Sequence, residues 1–85
     1  MNFAPKFDEN QKPIGFEIKR IRPGSLFQKI GLLKGDVVKS LNGRAFSNMS
    51  AQEALSLLNE IKNETEINLD IKRGDVDSTI GYEVR

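Results

Sequence analysis

The stretch Gly31-Leu32-Leu33-Lys34-Gly35-Asp36-Val37-Val38-Lys39-Ser40-Leu41-Asn42-Gly43 decides how the chain is read. Gly31 is a helix stop, and Gly35-Asp36 is a turn pair that opens a strand from Val37 to Leu41. Asn42-Gly43 closes that strand, because Asn and Gly both tolerate the positive φ of a tight hairpin turn. In the Gly-Asp turn the carboxylate of Asp36 is expected to cap nearby backbone N–H groups.

Upstream, Ser25 to Ile30 suits one or two helical turns with Ser25 as N-cap. Before it, Ile14, Phe16 and Ile18 recur at period two, the mark of a half-buried strand over 14–21, which Pro23-Gly24 ends. Asn2 to Phe7 reads as a short extended segment with Phe3 and Phe7 on one face, and Pro5 inside it marks an edge. Asp8-Glu9-Asn10-Gln11 is turn material.

Downstream, Arg44-Ala45-Phe46 reads as a brief return strand. Ser50-Ala51-Gln52-Glu53 is a capping box, in which the Ser hydroxyl takes one free helix N–H and the Glu reaches back to another. The helix it starts runs from Ala51 to about Lys62 with two apolar rows: Ala51, Leu55 and Leu58, and beside them Ala54, Leu57 and Ile61. One row can serve the core and leave the other for something else. Ile67, Leu69 and Ile71 alternate with polar residues, Gly74-Asp75 turns, and Val76 to Val84 forms a last strand with Ile80, Tyr82 and Val84 on one face. These elements predict one α+β domain over 1–85. It is a partly open barrel of five or six mostly antiparallel strands with one short and one long helix.

Composition removes several function classes. The 85 residues leave room for a single core. Thirteen basic and twelve acidic residues are interspersed, and Arg20, Arg22, Lys29 and Lys34 are the nearest thing to the basic stripe a nucleic-acid binder needs. Without His or Cys there are no triads or dyads built on either, and no thiolate metal site. Gly31-x-x-x-Gly35 lacks the Lys-Ser/Thr of a phosphate loop, and Asp75 and Asp77 lack the spacing of a calcium loop. No apolar run approaches the roughly 18 to 20 residues that span a bilayer. The expectation is a non-enzyme with no cofactor and no metal.

Together, Ile14-Gly15-Phe16, Pro23-Gly24-Ser25-Leu26-Phe27, the Gly-Leu-x-x-Gly-Asp run and Leu41-Asn42-Gly43 resemble the PDZ family over nearly the whole chain. The resemblance implies a carboxylate-binding loop at Pro13-Ile14-Gly15-Phe16 and a groove helix at Ser50 to Ile61. Within the family, the Phe-x-Pro opening, the Pro-Gly-Ser-Leu-Phe run and the Ile-x-Leu-x-Ile-x-Arg strand are similar to the PDZ domain of type II secretion system protein C. That likeness implies a periplasmic domain of an inner-membrane-anchored protein. Its implied partners are other secretion proteins, the outer-membrane secretin among them, or exported proteins. The isolated domain is expected to be monomeric and to touch a membrane only through a segment outside this sequence. Two alternatives stand beside it: the substrate-sensing PDZ domain of a periplasmic or membrane protease, and a structural spacer with a closed groove.

The expected peptide site lies between strand 14–21 and helix 51–62 and comprises Ile14, Gly15, Phe16, Glu17, Ile18, Ala51, Leu55 and Leu58. Gly15 would aim backbone amides at a ligand carboxylate, although the same glycine also suits a strand-entry bulge. A free edge along Phe16 to Lys19 would receive the ligand as a further strand. Ala51 stands where a His would select a hydroxyl-bearing ligand, which favours apolar or weakly selective ligands. Four backbone hydrogen bonds at about 1 kcal/mol and a charge-assisted cluster at about 2 favour binding. A buried side chain adds roughly 1.5 to 3, and association costs at least about 4. The remainder corresponds to a Kd of roughly millimolar to high micromolar, so that avidity within an assembly would be needed.

Overall fold

The structure, a computed structural model, describes residues 2–83, and the side chains of Asn2, Ala51 and Lys62 fall outside that description. Six strands and two helices follow in the order β1 (Asn2–Phe7), β2 (Pro13–Arg20), α1 (Leu26–Ile30), β3 (Val37–Leu41), β4 (Arg44–Ala45), α2 (Ala51–Glu60), β5 (Glu66–Arg73) and β6 (Val76–Glu83). All strand pairs are antiparallel. The sheet runs β1-β2-β3-β5-β6 with β4 beside β3, and it does not close on itself.

Local chemistry accounts for the elements. Asp8 Oδ1 accepts from the amides of Asn10 and Lys12 at 2.8 and 2.9 Å and ties the β1–β2 turn. Asn42 and Gly43 have φ of 48° and 84°, the two positive values of a two-residue type I′ hairpin. Ser25 caps α1 through its hydroxyl, and Gly31 ends it at φ 107°. Ser50 Oγ accepts from the Glu53 amide at 3.2 Å as expected, but the return bond differs from the expected one: Ser50 Oγ donates to Glu53 Oε1 at 3.3 Å. Past Glu60 the helix tightens into a 3-10 turn over Ile61–Asn63.

Strand alternation puts Ile67, Leu69 and Ile71 of β5 wholly inside. With Phe16, Ile18, Val38, Leu41 and Phe46 they belong to the core, onto which α2 lays Ala54 and Leu58 and the following 3-10 turn lays Ile61. Phe46 departs from the expected return strand: β4 stops at Ala45, and Phe46 begins a 3-10 turn, 1% exposed, with its ring edge-on to Phe16 at 5.9 Å. Ile80 and Tyr82 of β6 pack partly against the core, and Val84 lies outside the described residues.

Asp36 is the one buried charged residue among those described. Its Oδ2 caps the Leu33 amide at 2.9 Å, as the turn predicts. Its second partner, 37 residues further along the chain, was not legible beforehand. Arg73, at the end of β5, donates from Nε and Nη2 to the two carboxylate oxygens at 2.9 and 2.8 Å, and from Nη2 to the Gly31 carbonyl at 3.1 Å. Burial pushes the Asp36 pKa up, but the Arg73 fork and the Leu33 amide outweigh it and hold the carboxyl below its ordinary value.

Candidate peptide-binding edge

β2 has no free edge. On one side it pairs with β1 along its length, from Phe7 opposite Pro13 to Asn2 opposite Arg20. On the other, Phe16 and Glu17 face Val38 and Val37 of β3. The Ile18 amide donates to Asp36 O, and Ile18 O accepts from the Gly35 amide, both at 2.8 Å. The expected strand addition along Phe16 to Lys19 is therefore corrected: β1 and β3 flank Phe16, Glu17 and Ile18 on both sides, and Lys19 is the extra residue of a bulge.

The expected site residues disperse accordingly. Phe16, Ile18 and Leu58 come together, but as core side chains of 4%, 0% and 2% exposure. The buried stripe is Ala54 and Leu58 of α2 continued by Ile61 of the 3-10 turn, spaced four and three residues apart, with Leu57 partly buried at its flank. This moves Leu58 out of the row assigned to a ligand. Leu55, on the neighbouring row, is 47% exposed. Ala51 opens α2, and its side chain lies outside the described residues. Ile14 lines a cleft of about 450 Å³ on the far side of the sheet with Ser40, Asp70 and Thr79. Glu17 pairs with Lys19 at 3.0 Å and with Lys6 at 3.7 Å, and the Lys19 bond leads in holding its pKa low. In the Ile14 cleft the Ser40 and Thr79 hydroxyls donate to Asp70 at 2.6 and 2.9 Å and depress its pKa.

Gly15 has a steric reason to be glycine. The β1–β2 register slips between Lys6 and Phe7, which leaves Ile14 as the extra residue of a bulge. A Cβ built on Gly15 would run into the Val38 carbonyl oxygen. Gly15 is thus where two strands press together, next to the bulge at Ile14. Gly15→Ala should cost about 2 kcal/mol through forced backbone displacement. Gly43→Ala, with nothing within 4 Å of the new methyl, should cost about 1 kcal/mol from its positive φ alone. Urea denaturation of the two variants compares them, and equal losses would contradict the packing reason.

The sheet ends in two open edges, β6 and β1, and it is β1 that borders the core under α2, with Pro5 marking it as an edge. Phe16 and Ile18 turn their peptide groups toward β3 and Asp36, so the residues opposite them, Pro5 and Phe3, are not bonded to β2. The Asp8 amide donates inward to Lys12 O at 2.9 Å, and counting back by twos gives the same phase. Lys6 and Ala4 bond β2, while Phe3, Pro5 and Phe7 turn their peptide groups outward. The Phe3 ring meanwhile packs edge-on to Phe16 at 5.2 Å, which fixes the strand on the core that α2 covers.

A profile of the PDZ domain matches residues 2–72. The chain belongs to the PDZ family. PDZ domains are interaction modules rather than catalytic units, and solved PDZ structures share this one's fold at low identity. The PDZ domain of EpsC from Vibrio cholerae is 21% identical with a TM-score of 0.66, over 95% of this chain and 74% of that one. The PDZ domain of pullulanase C protein of the type II secretion system from Klebsiella pneumoniae, solved with a fatty acid, is 24% identical with a TM-score of 0.62, over 98% and 82%. The HtrA3 PDZ domain, bound to a phage-derived ligand of sequence FGRWV, is 20% identical with a TM-score of 0.66, over 93% and 76%.

Proposed function

We propose that this PDZ domain captures an extended peptide on the outer edge of β1, with exposed Leu55 of α2 offering apolar contact to a ligand side chain. The single observation that carries this reading is the position of β1. It is paired on one side only and anchored through Phe3 to the core that α2 covers. We place the module in the inner-membrane component C of a type II secretion system, in the periplasm. Its partners there are the outer-membrane secretin, other secretion proteins or exported proteins. Likeness to two secretion-system PDZ domains supports this assignment, as do the Phe-x-Pro opening and the Pro-Gly-Ser-Leu-Phe run.

The HtrA3 likeness, equal in TM-score to that of EpsC, favours a second reading as the substrate-sensing domain of a protease. The coding sequence around the domain separates the two: a protease domain against a single membrane helix.

Titration of the 15N-labelled domain with the FGRWV pentapeptide, carrying a free or an amidated C-terminus, tests the site. Shifts should centre on the Phe3, Phe7 and Leu55 amides, with a Kd of roughly millimolar to high micromolar. Equal shifts from both forms would keep strand addition and remove a carboxylate pocket. Silence from both, or shifts confined to β6, would overturn the site.

A further inference from the structure

The outward residues of β1 are Phe3, Pro5 and Phe7, and the middle one has no N–H to give. The edge therefore offers carbonyls at three positions but donors only at Phe3 and Phe7, about 14 Å apart along the strand. A foreign strand pairing here forgoes one hydrogen bond, from the Pro5 position to its own facing carbonyl.

A second copy of the chain suffers more. In the two-fold antiparallel register, Phe3 of each copy faces Phe7 of the other and Pro5 faces Pro5. The central pair then makes no bond in either direction, so the dimer forgoes two bonds where a foreign strand forgoes one. At about 1 kcal/mol per bond this weakens a foreign strand about fivefold and the symmetric dimer about thirtyfold. Pro5 is the feature that acts on the edge's own hydrogen bonds. Lys6, the one charge on β1, has its side chain engaged by Glu17 at 3.7 Å, and both bulges of the pair lie on the β2 side.

We propose that Pro5 keeps the β1 edge from pairing with a second copy of the domain and so reserves it for a foreign strand. The inference rests on the same open edge as the proposed function, but it is read through self-association, without any peptide.

The test is Pro5→Ala, with Pro5→Val as a second variant that also restores the amide. Dimerisation is measured by sedimentation equilibrium, and the contact is located by amide shifts on dilution. Both variants should dimerise about thirtyfold more tightly than the wild-type domain, with dilution shifts at Phe3 and Phe7. Dimerisation within twofold of wild type, or a contact on β6, would overturn the proposal. A domain that ignores the pentapeptide yet dimerises through β1 once Pro5 is replaced would remove the proposed function and support this role.

Discussion

Phe16→Ala should lower the stability of the domain by about 3 to 5 kcal/mol, a large share of what a domain of this size has. The ring is 4% exposed and stands edge-on between two others, Phe3 at 5.2 Å and Phe46 at 5.9 Å. Removing it forfeits the burial of the ring and both edge contacts, and leaves a hole between β1, β2 and the turn at Phe46. Because the Phe3 ring fixes β1 on Phe16, the damage should spread to the open edge, and β1 amides should lose their protection before those of β5. Urea denaturation measures the loss. A decrease under about 1 kcal/mol, with peptide binding abolished, would instead mark Phe16 as a ligand contact.

Asp36→Ala should cost about 3 kcal/mol, near the lower end for breaking a buried pair, because the Arg73 side chain is 47% exposed and water can solvate it. The carboxylate holds three things at once: the Leu33 amide, the Arg73 fork, and through Arg73 the Gly31 carbonyl. Arg73→Ala should also destabilise, since it leaves the carboxylate buried with only the Leu33 amide. The pH dependence follows from the lowered pKa of Asp36. The folded state releases this proton more readily than the unfolded chain does. Its contribution is therefore complete above the ordinary carboxylate value near 3.8 and fades as pH falls through the lowered folded value. The advantage of wild type over Asp36→Ala should be flat from about pH 5 upward and shrink below about pH 4. Glu17 and Asp70, whose pKa values are also lowered, are common to both proteins and cancel in the difference. An advantage that grows on acidification would contradict the ion pair.

Residues that act locally were legible in the sequence. Ser25, Gly31, Asn42-Gly43 and Ser50 each fix a cap or turn with neighbours a few positions away, and each does so in the structure. Alternation likewise placed β5. What failed was non-local. Period two marks Phe16 and Ile18 as facing a core, but it cannot say whether the strand's two edges are occupied, and here β1 and β3 take both. The clue lay five residues into the chain, because an interior Pro is tolerated where its missing N–H faces away from a partner strand. The resemblance of Ile14-Gly15-Phe16 to a carboxylate loop drew the site one strand inward. Leu55 and Leu58 lie on one helical row, and only the packing of α2 separates the buried one from the exposed one. Arg73 reaches Asp36 across 37 residues, a distance at which no spacing rule operates.

Hydrogen exchange of individual amides in the free domain tests most directly which strand is open. Phe3 and Phe7 should exchange at nearly unprotected rates while Ala4, Lys6, Phe16 and Ile18 are protected, and saturating pentapeptide should slow Phe3 and Phe7 alone among these. Fast exchange at Phe16 and Ile18 in the free domain, slowed by peptide, would return the ligand to β2 and contradict the β1 edge.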